Sequence, residues 1–170
     1  MTSIQTAKKL LRSDMKKRLA ALSKEQILLE SEILTKKFLS HPAYIKSRRI
    51  AVYLSMEDEM EMLRLHSLAD LNTLAVTKWN VRQPADTDDH REDALTSGGL
   101  DLVLVPGMAF TVDGHRMGRG KGYYDTFLQQ CRDSQVEPPT TIALALSPQI
   151  VSNVPTHDHD MLIDVIISPD

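Results

Sequence analysis

A chain of 170 residues with 42% hydrophobic and 25% charged residues is sized for one domain with a core of its own, and is short for two. Its single cysteine, Cys131, excludes an internal disulfide framework, and a net charge of -3 gives no overall attraction to nucleic acid. No apolar run approaches the roughly 20 residues that cross a bilayer, and the first residues lack the apolar block of a secretory signal, so a soluble, cytoplasmic protein is expected.

The chain begins with Lys8, Lys9, Arg12, Lys16, Lys17 and Arg18 interleaved with Leu11, Met15, Leu19 and Leu22. The four apolar residues fall at helical spacing on one face, and Lys8, Arg12 and Lys16 stack along another. A charge stripe of this kind reads either as a solvated helix face or as a basic patch. A mitochondrial transit peptide is disfavoured by Asp14 and by the many lysines and few serines. Ser23 and Gln26 form a capping-box pair, which predicts a second helix through Ile27, Leu28, Ile33, Leu34 and Phe38, ended by Pro42.

Residues 50–54, reading I-A-V-Y-L, have the β-branched and aromatic content of a short buried parallel strand, and an acidic cluster follows them. Residues 79–99 form a long polar stretch, either an ordered functional loop or a mobile one. Residues 101–105 (D-L-V-L-V), 140–146 (T-T-I-A-L-A-L) and 164–167 (D-V-I-I) predict three further strands. Between the first two of these lie Asp113-Gly114, a common hairpin turn pair, and an apolar pattern of Tyr124, Phe127, Leu128 and Cys131 that predicts a helix. Strand, glycine-rich turn, helix, strand is the layout of a Rossmann-like, doubly wound α/β domain. Its mainly parallel sheet is flanked by helices, here in one domain over residues 1–170, and ligands sit beyond the carboxyl ends of its strands.

The glycine-rich turn reads R-M-G-R-G-K-G-Y-Y-D over residues 116–125. Gly118, Gly120 and Gly122 alternate with Arg119 and Lys121, so the backbone can close on an anion and turn its amides toward it. The helix after the turn adds the positive end of its dipole, Arg119 can fork onto phosphate oxygens, and Lys121 can act as a compact charge. The spacing is neither the G-x-x-x-x-G-K-[ST] of a P-loop nor G-x-G-x-x-G. A flexible turn with solvated basic residues is the plainer alternative. Asp125, in the first helical turn, suits a magnesium ion carried by a nucleoside triphosphate, or alternatively only stabilises the helix dipole. Asp160, in H-D-H-D at 157–160, is a second magnesium candidate, because no further Cys or His completes a zinc set nearby. Cys131 reads as core filling.

These blocks resemble the 5-formyltetrahydrofolate cyclo-ligase family, also called methenyltetrahydrofolate synthetase. The resemblance rests on residues 116–125 together with G-G-L-D-L-V-L-V-P-G-M-A-F at 98–110. Further matches are K-x-x-L-R at 8–12, L-S-M-x-D-E at 54–59, W-N-V-x-Q-P at 79–84 and D-M at 160–161. The resemblance implies an ATP-dependent closure of 5-formyltetrahydrofolate to 5,10-methenyltetrahydrofolate with release of ADP and phosphate. It implies ATP contacts from Lys8, Lys9, Leu10, Leu11 and Arg12 and from Arg116, Met117, Gly118, Arg119, Gly120, Lys121, Gly122, Tyr123 and Tyr124. Arg119 and Lys121 would serve the reacting phosphate, and Asp125 and Asp160 would hold Mg2+. Leu54, Glu59 and Trp79, with residues 118–122, would meet the folate. The implied partners are ATP and the folate, with no nucleic acid and no membrane, and the implied state is a monomer.

The family pattern is interrupted near residue 60. A helix and a parallel strand are expected between the 54–59 block and a candidate strand at 62–65, yet only residues 55–61 separate the candidate strands at 50–54 and 62–65, whereas a parallel crossover takes a dozen or more. The expectation is therefore either a working enzyme with a weakened folate side or a truncated, non-catalytic ATP or folate binder. A different enzyme on a similar scaffold, such as a sugar-phosphate isomerase or an acyl-CoA transferase, is the remaining alternative.

Overall fold

The computed structural model describes residues 3–53, 68–76, 82, 91–157 and 160–170. Its centre is a four-stranded, wholly parallel sheet made of β1 (Ile50–Ala51), β2 (Leu102–Leu104), β5 (Thr140–Leu144) and β6 (Val165–Ile167), lying side by side in that order. A two-stranded antiparallel hairpin, β3 (Ala109–Phe110) with β4 (Arg116–Met117), leaves the sheet after β2. The helices are α1 (Ser3–Ala20), α2 (Lys24–Leu39), α3 (Pro42–Lys46), α4 (Leu68–Thr73) and α5 (Tyr123–Ser134), and one 3-10 turn spans Ser147–Gln149.

The sheet is buried on both faces because its strands are apolar at every position except Thr140 and Thr141, which open β5. Leu102, Leu104, Ile142 and Ile167 point to one side and pack with Leu34 and Phe38 of α2. Val103, Val105, Ala143 and Ala145 point to the other and pack with Phe127, Leu128 and Cys131 of α5. Helices on both faces of a parallel sheet are what continuous apolar strands require. Among the described residues the strands succeed one another across the sheet in chain order.

Carboxylates fix the register at the strand entrances. Asp101 Oδ2 accepts the amides of Arg48 and Arg49 at 2.7 and 2.8 Å, tying β1 to β2. Asp164 Oδ2 accepts the amide and hydroxyl of Thr141, while Thr141 Oγ1 accepts the Asp164 amide, which locks β5 to β6.

Several boundaries differ from the sequence expectation. The strands are shorter than the apolar runs, because Val52 and Tyr53 are exposed past β1, and Ala145 and Leu146 lead into the 3-10 turn instead. Pro42 does not simply end a helix; it sits at the first position of α3, where its missing N–H is harmless, with His41 Nδ1 accepting the Ala43 amide as the cap. Half of the capping box is present: Ser23 Oγ accepts the Gln26 amide at 3.1 Å, and the Gln26 side chain donates onward to Glu30. The hairpin turn forms at Asp113-Gly114 as expected, with Gly114 at φ +94° and pressed against the Ile163 carbonyl, where a Cβ has no room. The candidate strand at 62–65 lies outside the described residues. Of the long polar stretch, residue 82 and residues 91–99 are described and tied down: Arg82 Nη1 donates to the Asn72 and Leu74 carbonyls, and Arg91 forks onto Asp70 at 2.8 Å through both terminal nitrogens.

Candidate active site

The third apolar cluster decides where the site forms. Met15 of α1, fully buried, packs with Ala109 of β3, Met117 of β4 and Val154, supported by Leu11. This seats α1 on the hairpin, and the residues one turn away from Met15 on that same face are then held against the glycine loop, which begins where the hairpin ends. Arg12 Nε donates to the Gly118 carbonyl at 3.0 Å, and the Arg12 guanidinium underlies Gly120, which adopts φ +107°. Lys8, one turn earlier, reaches Asp160 Oδ2 at 2.5 Å, with side-chain exposures of 12% and 18%. Lys8 and Arg12 therefore do not line a solvated stripe, whereas Lys16 remains exposed.

Arg116 is the buried element beneath the loop. Its Nη2 donates to Asp125 Oδ1 at 2.6 Å, and its guanidinium stands 5.9 Å from the Tyr124 ring centroid. A Cβ on Gly118 would fall 2.9 Å from Arg116 Nη1, so this glycine makes room for an arginine as well as for any anion. Asp125 Oδ1 also accepts the Met161 amide at 3.3 Å, which brings Asp160, the preceding residue, to the first turn of α5. The two carboxylates, 35 positions apart in the sequence, thus share one place.

Burial pushes the Tyr124 hydroxyl far above the ordinary tyrosine range; nearby Tyr53 adds to this and Arg116 opposes it. Burial also raises Tyr53, so both are neutral hydroxyl donors near neutral pH. Burial works against the Asp160 charge, but the Lys8 ammonium and the His157 amide prevail and hold its carboxyl below the usual range. Cys131 is fully buried and burial pushes its thiol up to about 11, which suits core filling and not nucleophilic chemistry.

Arg119 and Lys121 project from the loop into solvent and have no partner among the described residues. Gly122, left-handed at φ 76°, caps α5 without a side-chain bond. Exposed cations and a helix start together make an anion-binding surface. Hard oxygen donors are also present for a magnesium ion. The bonds at Asp125 fall on Oδ1 and those at Asp160 on Oδ2, so each carboxylate keeps its second oxygen outside them. Two such oxygens plus phosphate suit Mg2+, which binds through one or two carboxylates and a nucleotide.

The other expected contacts divide by burial. Lys9 and Leu10 are exposed, Leu11 is half-buried against the hairpin, and Met117 is a core side chain that can offer only its backbone. Tyr123 is half-buried at the start of α5. Leu54, Glu59 and Trp79 lie outside the described residues, as do Asp158 and His159. Tyr53 was not singled out from the sequence, where it lies inside the expected strand at 50–54; in the fold it follows the end of β1.

The model of the 5-formyltetrahydrofolate cyclo-ligase family matches residues 4–69 and 57–169, two segments that together cover nearly the whole chain. This chain belongs to the 5-formyltetrahydrofolate cyclo-ligase family. A mouse protein named 5-formyltetrahydrofolate cyclo-ligase is 40% identical over 196 aligned positions, covering 99% of this chain and 96% of that one. A mitochondrial cyclo-ligase of Arabidopsis thaliana is 35% identical over 153 positions, covering 82% of this chain and 55% of its own. The NMR structure of Aquifex aeolicus 5,10-methenyltetrahydrofolate synthetase shares the fold, with a TM-score of 0.75 at 24% identity over 95% of this chain and 89% of that one. The family match runs in two overlapping pieces, and the mouse alignment is longer than this chain of 170 residues, so the alignment opens gaps in it.

Proposed function

We propose that this chain is an ATP-dependent enzyme that closes 5-formyltetrahydrofolate to 5,10-methenyltetrahydrofolate, releasing ADP and phosphate. The observation that carries the proposal is convergence. Lys8 and Arg12 of α1, more than 100 positions from the glycine loop, are docked against it and against Asp160, in a chain of the cyclo-ligase family.

In this reaction the formyl oxygen attacks the γ-phosphorus and ADP departs. The neighbouring amine nitrogen then attacks the activated formyl carbon and loses its proton, and the phosphorylated oxygen leaves as phosphate. The first step moves negative charge between oxygens, so catalysis consists mainly of positioning and neutralising charge. Arg119 and Lys121 serve the transferring phosphoryl group, the amides of residues 118–124 cradle the phosphates, and Lys8 and Arg12 add positive charge from α1. Arg116 holds Asp125 and stacks on Tyr124 from below. Asp125 and Asp160 would hold Mg2+, which when bound neutralises phosphate oxygens. Leu54, Glu59 and Trp79 are proposed on the folate side by their match to the family blocks.

We place the gap in the family pattern near residue 60, where the two family-model segments overlap. We also propose a cytoplasmic monomer: Lys8 and Arg12 belong to the folded site, which supports counting the basic helix as domain and not as a detachable leader. No helix among the described residues is long and apolar enough to cross a membrane.

Incubation with 5-formyltetrahydrofolate and magnesium ATP, monitored through the methenyl chromophore, tests the proposal. Product formation that requires ATP is expected, and none from a protein shown to be folded would overturn it. Lys121→Met is expected to abolish that turnover, whereas an ATP-independent isomerase would keep part of its activity.

A further inference from the structure

One buried carboxamide joins the carboxyl ends of the adjacent strands β2 and β5. Gln149 ends the 3-10 turn that follows β5 and is 8% exposed. Its Oε1 accepts the Leu146 amide at 2.9 Å, just past β5, and its Nε2 donates to the Gly107 carbonyl at 2.8 Å, just past β2. One exit offers a donor and the other an acceptor, and an uncharged side-chain amide answers both at once. The 3-10 turn is anchored in its own right, because buried Glu30 of α2 accepts the Ser147 amide at 2.8 Å.

The Gly107 turn is in contact with the root of the glycine loop. A Cβ on Gly107 would stand 2.5 Å from Phe110 Cζ and 3.1 Å from Arg116 Cγ, so the backbone there lies directly on the arginine stem. The next residue, Met108, donates its amide to the Met117 carbonyl at 2.7 Å, and Met117 immediately precedes Gly118. Arg116 is fixed at its far end by Asp125, whereas its buried Nε has no partner among the described residues, so its seat beneath the loop depends on that stem packing. We propose that Gln149 is a positioning residue for the phosphate site: by pinning the Gly107 carbonyl it fixes, through Arg116 and Met117, the place from which the glycine loop starts. The inference rests on the proposed nucleotide site and adds a residue that supports it from below.

A second glutamine supplies the comparison. Gln135, at the end of α5, bonds both the amide and the carbonyl of Leu100 at 3.0 Å, the same chemistry at the opposite, entrance end of β2. Gln149→Met keeps nearly the same volume and removes both of its bonds. Titration calorimetry with magnesium ATP, well below the melting temperature, is expected to show binding at least about tenfold weaker, since a small misplacement is enough for such a loss. Gln149→Glu keeps the acceptor for Leu146 but as a carboxylate has no donor for Gly107, and is expected to lose as much. Hydrogen exchange in both variants should rise at residues 108 and 116–122 with the sheet still protected. Gln135→Met is expected to lower the melting temperature with ATP affinity unchanged, as a purely structural bond would. Unaltered ATP affinity in either Gln149 variant, or an equal loss in Gln135→Met, would overturn the inference while leaving the nucleotide site standing. Failure of both Gln149 variants to melt cooperatively would also overturn it, by making Gln149 a general support of the fold. Absence of ATP uptake by the unaltered chain would instead remove the site on which the inference depends.

Discussion

Lys121 and Gly120 are neighbours on the loop, yet they fail in opposite ways. Lys121 is exposed and unpartnered among the described residues, so Lys121→Met is expected to change stability by less than about 0.5 kcal/mol. The lost charge-assisted bond to phosphate is worth roughly 1.5 to 3 kcal/mol, which predicts about a 10- to 100-fold loss of ATP affinity by calorimetry at an unchanged melting temperature. Gly120 sits at φ +107° with the Arg12 guanidinium 3.3 Å from where a Cβ would stand. Gly120→Ala is therefore expected to cost on the order of 1 to 3 kcal/mol, and both the melting temperature and the ATP affinity should fall. The spacing of the glycines was legible in the sequence. The reason for Gly118 was not, because no local pattern reveals that the arginine two residues earlier folds back beneath it. Arg116 reads in the sequence as a phosphate contact; the fold adds that its Nη2 donates to Asp125 and its guanidinium faces Tyr124, while its buried Nε has no partner among the described residues.

At the scale of elements, α1 is held chiefly by Met15, and its hold on the hairpin is what delivers Lys8 and Arg12. Met15→Ala is expected to cost about 2 to 5 kcal/mol if the chain unfolds as one unit. Hydrogen exchange should locate the lost protection in residues 3–20, together with weaker ATP binding; a uniform loss across the sheet with ATP affinity intact would contradict this account. The junction of β1 and β2 has a pH signature. The amides of Arg49 and Arg48 hold the Asp101 carboxyl below its usual range, a stabilisation present above the unfolded value of about 3.9 and lost as pH falls through the lower folded value. Asp101→Asn keeps an acceptor oxygen but not the charge, so the urea midpoint of the variant should depend less steeply on pH below about 4. Each strand of the sheet could be read from its apolar run, because a strand buried on both faces is apolar at most positions, with Thr140 and Thr141 of β5 the exceptions. Strand ends could not, since Val52, Tyr53 and Leu146 continue the apolar run after pairing has stopped. The docking of α1 was equally hidden: Lys8 and Asp160 are 152 positions apart, and helical periodicity says which residues share a face but not what that face meets.

For the molecule as a whole, a sheet covered by α2 on one side and α5 on the other supplies the rigid frame, and among the described residues the site is assembled at its margin from α1, the hairpin with its loop, the first turn of α5, and the segment before β6. Family membership was legible because the loop and the block at 98–110 are both short and specific. The gap proposed near residue 60 rests on a spacing too small for a crossover; the mouse alignment, longer than the chain, contains gaps without locating them there. All the other functional assignments depend on phosphate being what the loop receives. Titration calorimetry of the folded chain with magnesium ATP and, separately, with AMP tests this most directly. Saturable one-to-one uptake of ATP with AMP bound at least tenfold more weakly is the predicted result. Equal affinities, or no ATP uptake by a chain that still melts cooperatively, would contradict the account.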